Sequence, residues 1–427
     1  MNNSAINSYA IVGFGCAGYH AAKAIRQYDK TGEIHIFEAT NEPPANPMLT
    51  TYYVADKLSY QGAFPFGLTD DIINALNLQF HAQATVKTVH TANKCIELEN
   101  GQQFTFDKIL IATGARALLP PLKGLPDQRV FVMRTMDDAK RLKQYLATQT
   151  VKKAVVVGAS MVGIKVAELL NDRNIKTTIA DFAGYLFPLA AFEEVGREIE
   201  QRVHAKGVEF KWNTGIEEIT PAGAKFSDGE TLTADVICLC IGTRANVELI
   251  GNTEIIQHQG VKINRAIVVN NRMQTTMPDI YAAGDCCEGH NLQSNETMII
   301  GLWANAAYQG ETAGKNMAGI DAEYKGNIIH NITHFMDIDF IGLGDNRLVG
   351  TTHILGDIKS NNYIKAVMHQ DQLQCVNILG NYQASGIIKN HLIKQLMGEK
   401  AALSLVQKGM LIASGVDQQF IELIGWA

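Results

Sequence analysis

The sequence predicts an α/β chain with two separate strand–helix–strand units and an α+β tail. Three observations carry this. Apolar runs that end in glycine-rich turns occur twice, at residues 9–13 and 154–158. Each is followed by a helical stretch and a second short strand ending in an acid, Glu38 in one case and Asp181 in the other. Beyond about Tyr324 the pattern changes to strand-like pieces with two helical stretches.

In the first unit, Tyr-Ala-Ile-Val-Gly at 9–13 reads as a buried strand running into a turn. Residues 17–28 have helical composition, and His-Ile-Phe-Glu at 35–38 completes the unit. In the second, Ala-Val-Val-Val-Gly at 154–158 is the strand, 161–171 the helix and Thr-Thr-Ile-Ala-Asp at 177–181 the next strand. Such a repeat duplicates a domain-sized unit and does not build a solenoid. Two further buried strands end in similar turns, Lys-Ile-Leu-Ile-Ala-Thr-Gly at 108–114 and Asp-Val-Ile-Cys-Leu-Cys-Ile-Gly at 235–242. Pro120, Pro121 and Pro126 mark a crossing between domains. In the tail, helices are expected over 384–397 and 401–410.

A chain of 427 residues suggests two to four domains at roughly 100–200 residues each. With 46% hydrophobic and 19% charged residues, it has the balance of an ordinary globular protein. The net charge of -6 and pI near 6.1 disfavour nucleic acid as the main partner, because phosphate binding needs a basic face. The first eight residues carry no Lys or Arg, and the apolar run after them is broken by Gly13, Gly15 and Gly18, so no secretory leader is expected. No run of about 18 apolar residues indicates a membrane span. The seven cysteines form no CxxC and no disulfide spacing, which fits a reducing cytoplasm.

The first chemical motif is Gly13-Phe14-Gly15-Cys16-Ala17-Gly18, with Glu38 twenty positions after Gly18. The glycines permit a tight turn and a close backbone approach to a pyrophosphate, which then faces a helix N-terminus. Glu38 is placed to accept hydrogen bonds from ribose hydroxyls. The strand–turn–helix context and the distal acid make this a Rossmann-type dinucleotide fingerprint. The second motif is Gly158-Ala159-Ser160-Met161-Val162-Gly163, with Asp181 as its acid. Ser160 replaces the middle glycine, which requires its side chain to point away from the pyrophosphate. Asp181 favours an unphosphorylated ribose, and no Arg follows at Phe182, Ala183 or Gly184, so NADH is preferred to NADPH.

The third motif is Asp279-Ile280-Tyr281-Ala282-Ala283-Gly284-Asp285. Here the chain resembles the two-dinucleotide flavoproteins, specifically the pyridine nucleotide–disulfide oxidoreductase group, whose Ala-x-Gly-Asp strand carries the Asp that binds FAD near its ribityl and phosphates. Asp285 is the matching residue, beside Gly284. The resemblance continues through the Ala112-Thr113-Gly114 turn and through Gly242-Thr243-Arg244-Ala245-Asn246, which has Ala where the group usually has Pro. It extends to residues 302–314, including Trp303, which resemble the helix that covers the flavin. These matches follow the group's order over almost the whole chain.

The resemblance implies two Rossmann-type dinucleotide-binding domains plus a C-terminal α+β interface domain, and hence a homodimer. The FAD domain is expected over 1–119 and 243–321, the NAD domain over 120–242, and the interface domain over 322–427. It further implies hydride transfer from NADH to the flavin and onward transfer to an electron-carrier protein or a small-molecule acceptor. Reduction of dioxygen as an NADH oxidase, and NADH sensing without turnover, as in apoptosis-inducing factor, are the alternatives.

The chain departs from the subfamilies where they differ most. Coenzyme A-disulfide reductases and water-forming NADH oxidases carry a redox cysteine before Leu-Pro-Tyr-Tyr. Here residues 46–53 read Asn-Pro-Met-Leu-Thr-Thr-Tyr-Tyr, and no cysteine lies between Cys16 and Cys95. Rubredoxin and ferredoxin reductases carry Arg-Pro-x-Leu-Ser-Lys, which Pro47, Leu49 and Thr50 resemble, with Thr51 in place of the Lys. Direct flavin chemistry without a thiol relay follows from the absence of that cysteine where the resembled subfamilies carry it. Catalytic candidates are Lys165, Cys16 and Thr50. Lys165 stands where the group commonly has a Glu facing the nicotinamide; it either stabilises an anionic reduced flavin or turns to solvent. Met161 stands where many relatives have a Tyr gate, and Cys16 where peroxide-reducing relatives have His. A helix N-terminus lowers a thiol pKa, yet plain packing also accounts for Cys16. Cys238 and Cys240 read as packing on one face of a strand. Cys286 and Cys287 are adjacent, where a disulfide is awkward. His330 and His334 are four apart, but the β-branched residues around them favour a strand over a helical metal pair, and no metal site is expected.

Overall fold

In the computed structural model, residues 7–250, 257, 258, 260–370, 372–399 and 402–423 are described. The leading residues to Ile6 and Ala401, the expected start of the last helical stretch, lie outside them. The chain divides into two compact units: 1–116 with 243–327, and 117–242 with 328–427.

The first unit is built on a five-stranded sheet ordered Ile280–Ala282, Lys108–Ile111, Ser8–Val12, Glu33–Phe37, Leu78–His81, with every neighbouring pair parallel. Its strands are apolar runs because both faces are covered, as parallel sheets require. Ile11, Ile34, Ile36, Ile109 and Ile280 are all fully buried. The helix Cys16–Tyr28 follows the central strand and packs on the helix Trp303–Met317. The two backbones lie so close that a β-carbon at Gly310 would fall 2.2 Å from the Ala17 carbonyl, and one at Gly314 would fall 2.4 Å from that of Ala21. The Gly-x-x-x-Gly spacing puts both small residues on one helix face, which permits this approach.

The second unit repeats the plan. Its sheet is ordered Glu209–Lys211, Lys176–Ala180, Lys153–Val157, Val236–Leu239, Val130–Phe131, again parallel between neighbours. The expected helix over 161–171 is present as Met161–Asn171. The repeat goes further than the motifs suggested. Each unit also carries a three-stranded antiparallel meander, Val86–His90, Cys95–Leu98, Gln103–Thr105 in one and Ile216–Thr220, Gly223–Phe226, Thr231–Thr233 in the other.

The second unit also holds an antiparallel sheet ordered His330–Phe335, Ile338–Leu343, Gln372–Leu379, Tyr363–His369, Thr351–Leu355. His330 and His334 therefore lie on a strand. Two helices expected in the tail appear as Ser385–Leu396 and Leu405–Ala413. The second starts later than its composition suggests, because the Ser404 hydroxyl caps it by accepting from the Gln407 amide at 3.2 Å, with the Gln407 side chain closing a capping box. Among the described residues no helix is long and apolar enough to cross a membrane.

Candidate functional site

In an open parallel sheet, ligands bind outside the carboxyl ends of the strands where the strand order switches. In the first unit that point lies beyond Val12 and Ile111, which are paired, with Ala282 paired to Ile111 on the far side. The in-register strands therefore deliver three turns to one sheet edge: 13–18, 112–114 and 283–285. Gly13 has φ +98°, and a β-carbon there would sit 2.5 Å from the Ala112 carbonyl. Gly284 has φ +86°, and a β-carbon there would lie 3.2 Å from the Ala17 methyl. Three motifs far apart in the chain thus converge.

Glu38 organises the first turn. One carboxylate oxygen accepts from the Phe14 amide at 2.7 Å and the other from the Thr40 amide at 3.1 Å. The helix that follows starts at Gly15 with no side chain capping it. A β-carbon at Gly15 would meet nothing within 4 Å. Open space above a glycine, uncapped amides of Cys16, Ala17 and Gly18, and an acid anchored beside them fit a dinucleotide pyrophosphate and ribose.

Several neighbours hold this edge in place, and sequence reasoning missed their roles. The Asn246 side chain donates to the Thr113 carbonyl at 3.0 Å, while the Thr113 hydroxyl donates to the Asn246 carbonyl at 2.6 Å. Gln309, 1% exposed, accepts from the Gly284 amide at 2.8 Å and so fixes the turn that presents Asp285. Asn305, four residues earlier on the same helix face, is also 1% exposed and accepts from the Tyr324 hydroxyl at 2.7 Å. Two amides at helical spacing among small residues were the available signal. Asp285 itself is half-buried, beside Gly301.

The segment 46–53 forms a short 3-10 turn, Pro47–Leu49, running into the helix Thr50–Val54. The Thr50 hydroxyl is buried and donates to the Pro47 carbonyl at 2.7 Å, so it locks the turn. The adjacent Thr51 hydroxyl is also buried, and its oxygen has no hydrogen-bond partner in the protein. A buried hydroxyl without a partner costs stability unless a ligand satisfies it, which is a second sign that this unit is completed by a bound group.

Cys16 does not have the environment of a thiolate. Its side chain is 5% exposed and donates to the Trp303 carbonyl at 3.3 Å. Burial, and then the charge of Asp285, push its pKa up to about 12, the opposite of the lowering expected from the helix N-terminus. All seven cysteines are free and buried. Burial likewise raises Cys238 and pushes Cys240 up to about 12.

The second unit builds the corresponding edge. Gly158 has φ +117°, and a β-carbon there would lie 2.3 Å from the Cys240 carbonyl. Asp181 accepts from the Ala159 amide at 2.6 Å and from the Ala183 amide at 2.7 Å, as Glu38 does in the first unit. The Ser160 side chain is turned inward. Its hydroxyl donates to the Cys240 carbonyl at 2.9 Å and accepts from the Gly163 amide at 3.1 Å, capping the helix. Met161 and Val162 are half-buried at the helix start. Gly242, exposed at φ +109°, accepts from the Leu118 amide at 3.0 Å.

Lys165 does not turn to solvent, nor does it stand as an unpaired cation. It is 7% exposed, ion-paired with Glu168 and donates to the His334 carbonyl at 3.0 Å. Glu168 also accepts from the Met336 amide at 2.9 Å. Residues three apart share a helix face, so the pair is directed together toward the antiparallel sheet of its own unit.

The family profile described as pyridine nucleotide-disulphide oxidoreductase matches residues 7–310. The chain belongs to this family. It is an FAD-dependent NAD(P)H oxidoreductase of the two-Rossmann kind. It is 27% identical over 342 residues to an NADH oxidase of Methanocaldococcus jannaschii, covering 78% of this chain and 75% of that one. It is 29% identical over 373 residues to the epsilon subunit of the NADH-dependent phenylglyoxylate dehydrogenase of Aromatoleum evansii, covering 85% and 86%. In fold it is similar to putidaredoxin reductase from a covalent complex with putidaredoxin, with a TM-score of 0.84 at 21% identity, covering 97% of this chain and 100% of the other.

Proposed function

We propose that this family member takes NADH as donor and passes the electrons directly to an electron-carrier protein or small-molecule acceptor, with no thiol relay. FAD, when bound, supplies hydride acceptance and onward electron transfer. The turn 13–18, Glu38, Pro47, Thr50, the turn 112–114, Gly284, Asp285 and Trp303 hold it. The turn 158–163 and Asp181 hold NADH, with Gly242 at the same strand edge. The domains are read as 1–119 with 243–321 for FAD, 120–242 for NADH and 322–427 for association into a homodimer, working in the cytoplasm.

The observation that carries this reading is the pair of anchored acids. Each ties its carboxylate to the amide one residue past the first glycine of its own turn, which poises it for a ribose. An anchored carboxylate beside a 2′-phosphate would meet like charge, so NADPH is disfavoured. The direct route is supported by residues 46–53, which carry no cysteine, and by the neutral, hydrogen-bonded thiol of Cys16. A carrier protein as acceptor is supported by the likeness to putidaredoxin reductase. Dioxygen is the second reading, favoured by the relative named as an NADH oxidase. Stopped-flow reoxidation of the NADH-reduced protein by carrier proteins, quinones and dioxygen tests both. Fastest reoxidation by a carrier or quinone supports the first reading, fastest reoxidation by dioxygen the second.

A further inference from the structure

Phe182 follows Asp181 directly and is 76% exposed, among the most exposed large apolar residues of its unit. The ring is held in a defined place. A β-carbon at Gly215 would fall 1.9 Å from the ring's Cζ and 2.5 and 2.6 Å from its two Cε carbons. Gly215 has no positive φ, and the ring lies over the space that a β-carbon there would take. One face of Phe182 therefore rests on the buried Gly215, and the rest of the ring is open to solvent.

The loop that carries the ring is itself fixed. The Thr214 amide donates to the Asp181 carbonyl at 3.1 Å, and the Asn213 amide to the Ala183 carbonyl at 3.2 Å. Asp181 in turn accepts from the Ala183 amide. An anchored carboxylate suited to a ribose thus stands next to a preset flat apolar surface. In a dinucleotide, the base is the group attached to that ribose. Stacking on an exposed aromatic needs no particular hydrogen bond, because the base offers its π-face.

We propose that Phe182 is the stacking surface for the adenine of the nicotinamide cofactor, and that affinity for the adenosine half depends on it. The inference rests on the assignment of the second unit to NADH. Stacking on one aromatic side chain changes affinity by about tenfold to a hundredfold.

The test is calorimetric titration of the FAD-loaded protein with ADP-ribose, which contains the adenosine half alone. It is paired with flavin bleaching by reduced nicotinamide mononucleotide, which has no adenine. Phe182→Ala is expected to weaken ADP-ribose by about tenfold to a hundredfold and to leave bleaching by the mononucleotide unchanged. Phe182→Trp is expected to restore ADP-ribose binding to near the wild-type value. If Phe182→Ala binds ADP-ribose within about twofold of wild type, the stacking role is wrong and the NADH assignment stands. If wild type binds no ADP-ribose, the assignment of the unit to NADH falls, and the inference falls with it.

Discussion

In the first unit the helix after the glycine-rich turn begins at Gly15, and no side chain caps it. In the second unit its counterpart begins at Ser160, whose hydroxyl satisfies the Gly163 amide from inside the protein. The two turns share the leading glycine pressed on a neighbouring carbonyl, the anchored acid and the switch in strand order. The first turn leaves its first-turn amides without a side-chain cap, and elsewhere in the same unit the buried Thr51 hydroxyl has no protein partner. Such a turn is complete only when its ligand is present. The second turn satisfies one amide itself. One residue thus separates a turn that leaves its first amides open from one that caps an amide itself.

The strongest challenge to this contrast is Gly15→Val. A branched side chain would fill the open space above residue 15, so the variant is expected to purify colourless and to fail reconstitution with FAD, while circular dichroism shows the native fold. The matching change in the second unit, Ser160→Gly, should cost only a few tenths of a kcal/mol and keep reduction of the flavin by NADH. A yellow Gly15→Val protein would break the contrast at its base.

Next in size is the buried pair under the second turn. Lys165→Met leaves Glu168 charged and buried without its cation, at a cost of about 3–5 kcal/mol in denaturant unfolding. The double variant Lys165→Met/Glu168→Leu should regain much of that loss, since apolar replacement of a buried pair is often neutral. Single and double variants of equal stability would show that the pair does not act as a unit.

The choice between donors sharpens the comparison further. Asp181→Ala is expected to narrow the ratio of kcat/KM for NADH over NADPH by about tenfold, the scale of one charge-assisted hydrogen bond and its like-charge repulsion. Because Asp181 also anchors two amides, Asp181→Asn, which keeps one acceptor, separates loop anchoring from charge. A wild type that uses both donors equally would contradict the assigned role of the acid.

The smallest expected effect is at Cys16. Its folded pKa of about 12 lies above the ordinary thiol value of 9.0, and Cys240 is raised similarly. The protonated thiol is favoured in the fold, so this contribution is fully present below pH 9 and is lost as pH rises from 9 toward 12, by at most about 1.4 kcal/mol per pH unit for each thiol. Thermal unfolding against pH should show a falling alkaline limb, which Cys16→Ser makes shallower. At neutral pH, Cys16→Ser should match wild type in turnover, in a two-electron dithionite titration and in having no thiolate-to-flavin band. Loss of turnover with FAD still bound would make Cys16 a redox or acid–base residue and overturn direct transfer.

Both dinucleotide turns, their acids and the parallel-stranded fold class are readable from residues alone, because they depend on local chemistry: glycine where φ is positive, an apolar run where a strand is buried on both faces, an acid at a fixed distance. The environment of each candidate is not local. Lys165 reads as a cation available to a ligand until the tail of the chain brings the His334 carbonyl and the Met336 amide to its pair with Glu168. Cys16 reads as either an activated thiol or plain packing until Trp303, 287 positions later, supplies the carbonyl that holds its proton. Gln309 and Asn246 lie in stretches that carry the resemblance, yet nothing local shows that they fix the turns at Gly284 and Thr113. Helix, strand and turn propensities act over a few residues, whereas burial and partner choice are set by whatever the folded chain brings alongside. Only the tertiary structure could decide which polar groups are left for a ligand.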